Sequence, residues 1–332
     1  MRGKIWRWVR TAGAAGIVAA LLWRLGTGPV LAGLRLIDGW ALAVALGVGA
    51  LTTWCCAVRW SLVAGGLGLR LPVGTAVAHC YRSIFLNATL PGGVVGDVHR
   101  AIRHGRDVGD VGRGVRAVVW ERCAGQVVQV GIALVVLAVF PSPVRRYLPA
   151  VAGLLVAAGL VMAGLFVAAR RRTAPPTGPV PPAERVPPAR WEPRGGAARF
   201  ARVLRTAESD IRAGLLARGT WLGIVLTSTV VVAGHLVTFL VAARTASATA
   251  PLFQLVPLTL LALLAMGLPA NVGGFGPREG VAAWAFAAAG LTAAQGLTTA
   301  VVYGALVLVS SLPGAAVLLV RRFGAPIHVN HV

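Results

Sequence analysis

Residues 90–96 read Leu90-Pro91-Gly92-Gly93-Val94-Val95-Gly96, and residues 268–274 read Leu268-Pro269-Ala270-Asn271-Val272-Gly273-Gly274. In both copies the Pro is followed by Val after three residues, by Gly after five and by Arg after nine. Pro lacks a backbone donor and Gly relaxes the backbone, so a helix that reaches either motif is expected to end there. The residues expected to break the helices are Pro91, Gly92, Gly93 and Gly96 in the first copy and Pro269, Gly273, Gly274 and Gly276 in the second.

The two motifs lie in a very apolar chain. Of its 332 residues 57% are hydrophobic, which is more than a soluble domain carries. Crossing the hydrocarbon layer takes about 20 apolar residues, whereas a membrane β-barrel shows short alternating segments. The sequence predicts an all-α polytopic membrane protein, with 1–332 forming a single transmembrane domain. The predicted full spans are 8–25, 40–58, 116–139, 148–169, 220–243 and 297–320, and two further apolar segments, 73–90 and 252–268, lead into the motifs.

The charge of the chain is strongly positive. Its 32 Lys and Arg residues against 10 Asp and Glu residues give a net charge of +22. Because the cations lie between apolar runs, anionic lipid headgroups are the expected partner and nucleic acid is not. The longest basic stretch is a linker at 170–218, which is Pro-rich in its first half. Its second half, 197–216, has the apolar spacing of an amphipathic helix on the membrane surface; a solvated basic loop is the alternative.

The basic clusters also decide between two topologies. Lys and Arg accumulate in cytoplasmic loops, which places the N-terminus, the linker and the C-terminal pair Arg321-Arg322 in the cytoplasm. Eight full spans would put the linker outside, whereas six spans and two re-entrant hairpins put all three clusters inside. With six spans, 40–139 and 219–322 each contain a span, a hairpin and a span in opposite orientations, which is an inverted-topology repeat. We therefore expect a multi-pass protein of the cell membrane with both termini cytoplasmic.

Charged residues beside the two motifs are the candidate substrate-binding residues. Arg100 and Arg278 occupy equivalent positions, and a planar guanidinium group suits phosphate or carboxylate. Asp97 and Glu279 would either hold each Arg in position or alternate with the substrate as its partner. The alternative is that each acid and Arg only neutralise each other and fix their hairpin.

Three more polar residues are candidates for the same site. Glu121 and Arg122 follow one another early in the predicted span that begins near Arg116, with Glu121 about 7 Å inside it. An ionisable residue at such a depth is costly and indicates function, although a structural ion pair or an interfacial position is the alternative. Asn87 lies four residues before Pro91 and would cap backbone groups freed at the break.

Other polar patterns do not indicate catalysis. The chain has no Walker motif, nucleophile elbow or H-E-x-x-H sequence, and we do not expect an enzyme. Its four Cys residues lack metal-type spacing, so neither a metal nor a cofactor is expected. Arg59-Trp60 has the pattern of a span end at the membrane interface. His235 is expected to be packed or hydrogen-bonded within its span.

Three stretches resemble one family. They are FLNATLPGGVVGDVHRA from Phe85, WER at 120–122 and LPANVGGFGPREG at 268–280, and they resemble the lysylphosphatidylglycerol synthase transmembrane-region family, also described as flippase-like. The resemblance extends over nearly the whole chain and departs from the pattern N-x-x-L-P-G-G-x-G-G-D-x-x-R at Val95, which replaces a glycine. It implies the lipid-translocating part of such proteins, and a soluble aminoacyltransferase domain is not expected here.

These observations lead to one expected function and two alternatives. The expected function is the movement of an anionic or headgroup-modified lipid between leaflets, with the two hairpins forming the site. The alternatives are a secondary transporter of a small anion and a non-transporting membrane partner of a lipid-modifying or glycosyl-transferring enzyme. The expected partners are membrane lipids, and the sequence leaves the oligomeric state open.

Overall fold

The computed structural model describes residues 35–90, 93–150, 196–267 and 276–323, with the isolated positions 153, 157, 160 and 164. The described ranges consist of helices joined by turns and contain no strand. The α-helices are α1 (Gly39–Gly66), α2 (Val73–Thr89), α3 (Val95–Asp107), α4 (Val111–Val139), α5 (Gly196–Asp210), α6 (Thr220–Thr245), α7 (Leu252–Met266), α8 (Pro277–Ala288), α9 (Ala293–Ser310) and α10 (Pro313–Phe323). A 3-10 helix follows α4 at Arg145–Tyr147, and a π-helix continues α5 at Ile211–Leu215.

Among the described residues, four stretches are long and apolar enough to cross a membrane. They are α1, α4, α6 and Ala293–Leu318, which combines α9 with the start of α10. They correspond to the predicted spans 40–58, 116–139, 220–243 and 297–320, while α7 is apolar but shorter. The predicted spans 8–25 and 148–169 lie outside the described residues, apart from a few positions of the second. The all-helical membrane fold is confirmed for the described part.

Helix α1 is longer than the sequence predicts. It continues to Gly66, so Arg59 lies about 10 Å before its end. The predicted helix end at Arg59-Trp60 is wrong, and both residues are packed inside the protein, with Arg59 5% exposed and Trp60 fully buried. A local Arg-Trp pattern is the same at an interface and in a protein interior, and only the packed neighbours distinguish the two.

Helix α4 also starts earlier than predicted. It begins at Val111 because Asp110 caps it, with Asp110 Oδ1 accepting a hydrogen bond from Arg113 N at 2.8 Å. An Asp side chain in this position satisfies an amide that the helix itself leaves free. Glu121 therefore lies about 15 Å from the start of α4, deeper than the sequence predicts.

Helices α2 and α3 form the first broken pair. Short connections join α2 to the end of α1 and α3 to the start of α4, so both ends of the pair lie on one face of the molecule. Helix α3 packs very closely on α4, since a Cβ added to Gly114 would lie 2.7 Å from Gly105 Cα. A Cβ added to Gly96 would lie 2.6 Å from Ser83 Cα, so α3 is equally close to α2. Only glycine fits at these contacts.

Helices α7 and α8 form the second broken pair. Gln254 near the start of α7 donates a hydrogen bond to the backbone oxygen of Ala289 just after α8, at 2.8 Å, so the outer ends of the pair meet. Gln295 at the start of α9 donates to the oxygen of Ser247 after α6, at 3.2 Å. The end of α6 and the start of α9 therefore lie beside each other, at the end of the molecule where α7 begins. Of the predicted break residues, Gly93, Gly96 and Gly276 are described, and Pro91, Gly92, Pro269, Gly273 and Gly274 lie outside the described residues.

Helices α1 and α6 pack antiparallel through the centre of the molecule. A Cβ added to Gly223 would lie 2.8 Å from Leu62 Cδ1, and further along the pair Gly234 faces Val48 and Thr52. Helix α9 joins them, and its Ser310 lies against Gly49. The core that results contains Phe239 and Tyr303, both fully buried.

The end of the linker is docked onto the helices. A Cβ added to Gly66, the last residue of α1, would lie 2.6 Å from Gly214 Cα in the π-helix. Asp210 Oδ2 accepts hydrogen bonds from Arg116 Nε at 2.7 Å and from Trp120 Nε1 at 3.1 Å, both on α4. The predicted helix at 197–216 is therefore present as α5 and the π-helix. It ends on the face that also carries both ends of the α2 and α3 pair.

Candidate functional site

The first break is tied together by a polar side chain from each side. Asn87, near the end of α2, accepts a hydrogen bond from Gly96 N at 2.8 Å and donates to Asp97 Oδ2 at 3.0 Å. Ser83 donates to Asp97 Oδ1 at 2.9 Å. Asn87 thus caps the start of α3, as its position before the motif suggests, and the carboxylate of Asp97 is fixed by α2.

Glu121 lies at the centre of an ion network formed by three helices. Arg59 of α1 donates to Glu121 Oε1 from Nε at 2.9 Å and from Nη2 at 2.5 Å. Arg100 of α3 donates from Nη2 to Glu121 Oε2 at 2.6 Å. The three side chains are 1 to 6% exposed. The buried carboxylate of Glu121 is therefore paired with two guanidinium groups. An unpaired charge in the interior would be very unfavourable.

Asp97 extends the network to Arg122. Arg100 Nε bonds to Asp97 Oδ1 at 3.0 Å, and Arg122 Nη2 bonds to Asp97 Oδ2 at 2.6 Å. Arg100 also stacks on the Trp60 ring, with its central carbon 4.7 Å from the ring centroid. The structure thus brings five predicted site residues, including Asn87, into one array. We call the five charged side chains Arg59, Asp97, Arg100, Glu121 and Arg122 the ion network.

Sequence reasoning missed Arg59, although it is a full member of the ion network. Its Nη1 donates to Ser228 Oγ on α6 at 3.1 Å and so connects the network to the second half of the chain. One sequence signal could have indicated that Arg59 is buried, because the apolar run in which it lies continues beyond it. Its acidic partner is 62 residues away, so the local pattern alone pointed to the interface.

The second group of charges lies after the second break. Arg278 and Glu279 are 5% and 1% exposed and form a hydrogen-bonded ion pair. Glu279 Oε2 accepts from Gly276 N at 2.7 Å and caps α8. Arg278 stacks on Tyr303, with its central carbon 4.9 Å from the ring centroid. Each half of the chain thus has an Arg that follows a break, bonds an acid and stacks on an aromatic ring.

The two groups lie close to each other. Gln126, one turn after Arg122 on α4, lies directly against Gly267 at the end of α7. His235 of α6 shares a 2.8 Å hydrogen bond with Tyr303, the ring on which Arg278 stacks. The expectation that His235 is hydrogen-bonded within its span is confirmed. Helix α4 therefore contacts both broken pairs, through α3 and α7.

In the described part of the chain, no group of three His, Cys, Asp or Glu side chains is placed to hold an ion. The four cysteines are all free thiols.

Comparison with known proteins places the chain in a family. No curated protein and no solved structure matches it. The sequence model of the lysylphosphatidylglycerol synthase TM region matches residues 7–314, which include both motifs and the whole ion network. The chain is a multi-pass membrane protein and belongs to the lysylphosphatidylglycerol synthase transmembrane-region family.

Proposed function

We propose that this protein moves an anionic or headgroup-modified lipid from one leaflet of the bilayer to the other. The observation that carries the proposal is the ion network, because it lies about 15 Å along a 29-residue apolar helix beside a broken one. Ionisable groups within membrane spans are costly and mark substrate pathways. Family membership supports a role linked to lipid modification or translocation. In this proposal the chain itself carries out no catalytic step.

The architecture we propose has six full spans and two re-entrant hairpins, α2 with α3 and α7 with α8. Both ends of each pair lie at one end of the bundle, and the antiparallel course of α1 and α6 sets the two pairs at opposite ends. This arrangement supports an inverted-topology repeat, in which broken helices meet near the bilayer midplane and form the site. Irregular backbone at that depth is tolerable where protein or water surrounds it.

A labelling experiment tests the proposed topology. In a variant that lacks the four native cysteines, Ala183→Cys in the linker should resist an impermeant thiol reagent in intact cells, and Ser142→Cys should react. The reason is that the basic linker is expected in the cytoplasm. Permeabilised cells provide the control, because both positions should react there. Labelling of Ala183→Cys in intact cells would exclude the six-span arrangement.

A liposome assay tests the proposed function. The purified protein should accelerate exchange of a labelled anionic phospholipid between leaflets, relative to protein-free liposomes. Arg278→Lys keeps the charge but loses the planar fork, and Arg278→Ala loses both. We expect a clear decrease for Lys and a loss of about tenfold or more for Ala, since a hydrogen bond to a charged group contributes about 1.5–3 kcal/mol.

The matched control for this assay is Arg113→Ala. Arg113 also lies on a membrane helix, but its side chain is 44% exposed and forms an exposed ion pair with Asp110 at the helix start. The rate of leaflet exchange with Arg113→Ala should equal that of the wild type. Wild-type protein that leaves exchange at the protein-free rate would contradict the proposed function, and unchanged exchange in Arg278→Ala would remove Arg278 from the site.

A further inference from the structure

We propose that Arg122 binds the phosphodiester group of an anionic phospholipid, and that this single negative charge completes the ion network. The inference rests on the proposed function and adds the charge of the substrate and the residue that contacts it. Three observations lead to it, namely the charge of the network, the exposure of Arg122 and the position of Arg122 between the broken pairs.

The ion network has one more positive than negative group. Arg59, Arg100 and Arg122 are joined by hydrogen bonds to only two carboxylates, Asp97 and Glu121. The other hydrogen-bond partners carry no formal charge, namely Ser83, Asn87, Ser228 and the thiols of Cys56 and Cys80. In a low-dielectric interior a surplus charge is costly unless an opposite charge is nearby. An anion at this place would remove that cost.

Within the described ranges, no other acid lies beside the ion network to supply this charge. It contains ten Asp and Glu residues. Glu279 pairs with Arg278, Asp210 with Arg116 and Glu208 with Arg212. The remaining five lie before α1, in the turn around 107–110 or in the Pro-rich linker, namely Asp38, Asp107, Asp110, Glu184 and Glu192. The missing charge is therefore expected to come from a ligand.

Arg122 is the member of the ion network that a ligand can reach. Half of its side chain is exposed, against 3% for Arg100 and 6% for Arg59. Its Nη2 is bonded to Asp97, while its Nε and Nη1 make no hydrogen bond to the described residues. A guanidinium group has five N–H donors, so the N–H groups of Nε and Nη1 remain free to bind phosphate oxygens.

The position of Arg122 fits a ligand held between the two halves. Asp97 on one side belongs to the helix that follows the first break. One turn along α4, Gln126 lies against Gly267, where the second broken pair begins its turn. A headgroup that bonds Arg122 would therefore contact α4 and lie within about one helical turn of α3 and of the end of α7.

The charge count selects the class of lipid. A phosphodiester carries one negative charge, whereas a phosphomonoester carries about 1.5 to 2 near neutral pH. Phosphatidylglycerol has one phosphodiester and no cation, so it would neutralise the network. Phosphatidylcholine brings its own positive charge and would leave the surplus in place. We therefore expect selectivity for a lipid with a net charge of −1.

Thermal unfolding of the purified full chain in neutral detergent tests this inference. Short-chain phosphatidylglycerol should raise the melting temperature, and phosphatidylcholine should not. In Arg122→Gln the concentration of phosphatidylglycerol needed for half of the shift should rise about tenfold or more. Arg113→Gln, the same change at an exposed site of α4, should respond like the wild type.

Arg122→Gln also separates ligand binding from a purely structural role. Without lipid this variant should melt no lower than the wild type, because the surplus charge is gone while Asp97 keeps Arg100, Ser83 and Asn87. A lower melting temperature together with an unchanged response to phosphatidylglycerol would overturn the inference. An equal response to phosphatidylcholine would overturn the charge argument.

Two further measurements identify the source of the anion and separate this inference from the proposed function. Inorganic phosphate and the free headgroup glycerophosphoglycerol should stabilise the protein far less than the lipid; an equal effect would overturn the lipid assignment and favour a small anion. Leaflet exchange is then measured separately in liposomes. Lipid binding that depends on Arg122, without any leaflet exchange, would support this inference and contradict the proposed function. Leaflet exchange by the wild type, with unchanged lipid binding in Arg122→Gln, would support the proposed function and contradict this inference.

Discussion

Replacing Glu121 with Gln is expected to lower the free energy of unfolding by about 3–5 kcal/mol, the typical cost of breaking a buried ion pair. Arg59 and Arg100 both depend on this carboxylate, through bonds of 2.5 and 2.6 Å. With Gln they would face each other in the interior with two positive charges and no neutralising group between them. We expect a large decrease in melting temperature and in the amount of folded protein in the membrane.

Two variants serve as controls for the Glu121 prediction. Asp110→Asn removes a carboxylate from the same helix but keeps the N-cap, and its ion pair with Arg113 is more than 40% exposed on both sides. Its effect should stay within about 1 kcal/mol. Adding Arg59→Met to Glu121→Gln restores the original net charge of the network and should recover part of the stability. Melting of Glu121→Gln at the wild-type temperature would mean that the network is not neutralised in the way described.

Replacing Gly114 with Ala is expected to lower stability by about 1–3 kcal/mol, as inserting atoms into a packed core does. The new Cβ would lie 2.7 Å from Gly105 Cα and 2.9 Å from the oxygen of Ala101. These are backbone atoms, so no side-chain rotation relieves the collision and α3 must move away from α4. Because α3 carries Asp97 and Arg100, leaflet exchange should decrease together with the melting temperature.

The same substitution elsewhere on α4 gives the control. Gly131 has no atom within 4 Å of an added Cβ. Gly131→Ala should raise stability by up to about 1 kcal/mol, because Ala favours a helix over Gly by that amount. Equal melting temperatures for the two variants would show that α3 and α4 are not packed as closely as the distances indicate.

The helical fold and many of the site residues could be predicted from the sequence. Apolar runs of sufficient length predict spans directly, and repeated Pro and Gly residues predict the places where α2 and α7 end. The spacing of Arg100 and Arg278 after these motifs pointed to two equivalent groups, and both are buried, paired with an acid and stacked on a ring. These features are local, so a single sequence contains them.

What could not be predicted depends on distant contacts. Arg59 is a member of the ion network only because α1 packs against α4 and α6, and nothing near residue 59 records this. The same holds for Asp210, whose partners Arg116 and Trp120 are about 90 residues away along the chain. Tyr303 and His235 likewise meet only when α6 and α9 pack together. Pairing of this kind is set by tertiary structure rather than by local pattern.

The charge of the ion network also has an electrical consequence. A net charge inside a membrane experiences the transmembrane voltage, and moving one elementary charge across 100 mV involves about 2.3 kcal/mol of work. A phosphodiester bound to Arg122 would cancel this charge, so the voltage would act on the lipid-free form and leave the lipid-bound form unaffected. Any current that accompanies lipid exchange should therefore arise when the protein returns without its lipid, and polarising the membrane should change the rate of that step alone.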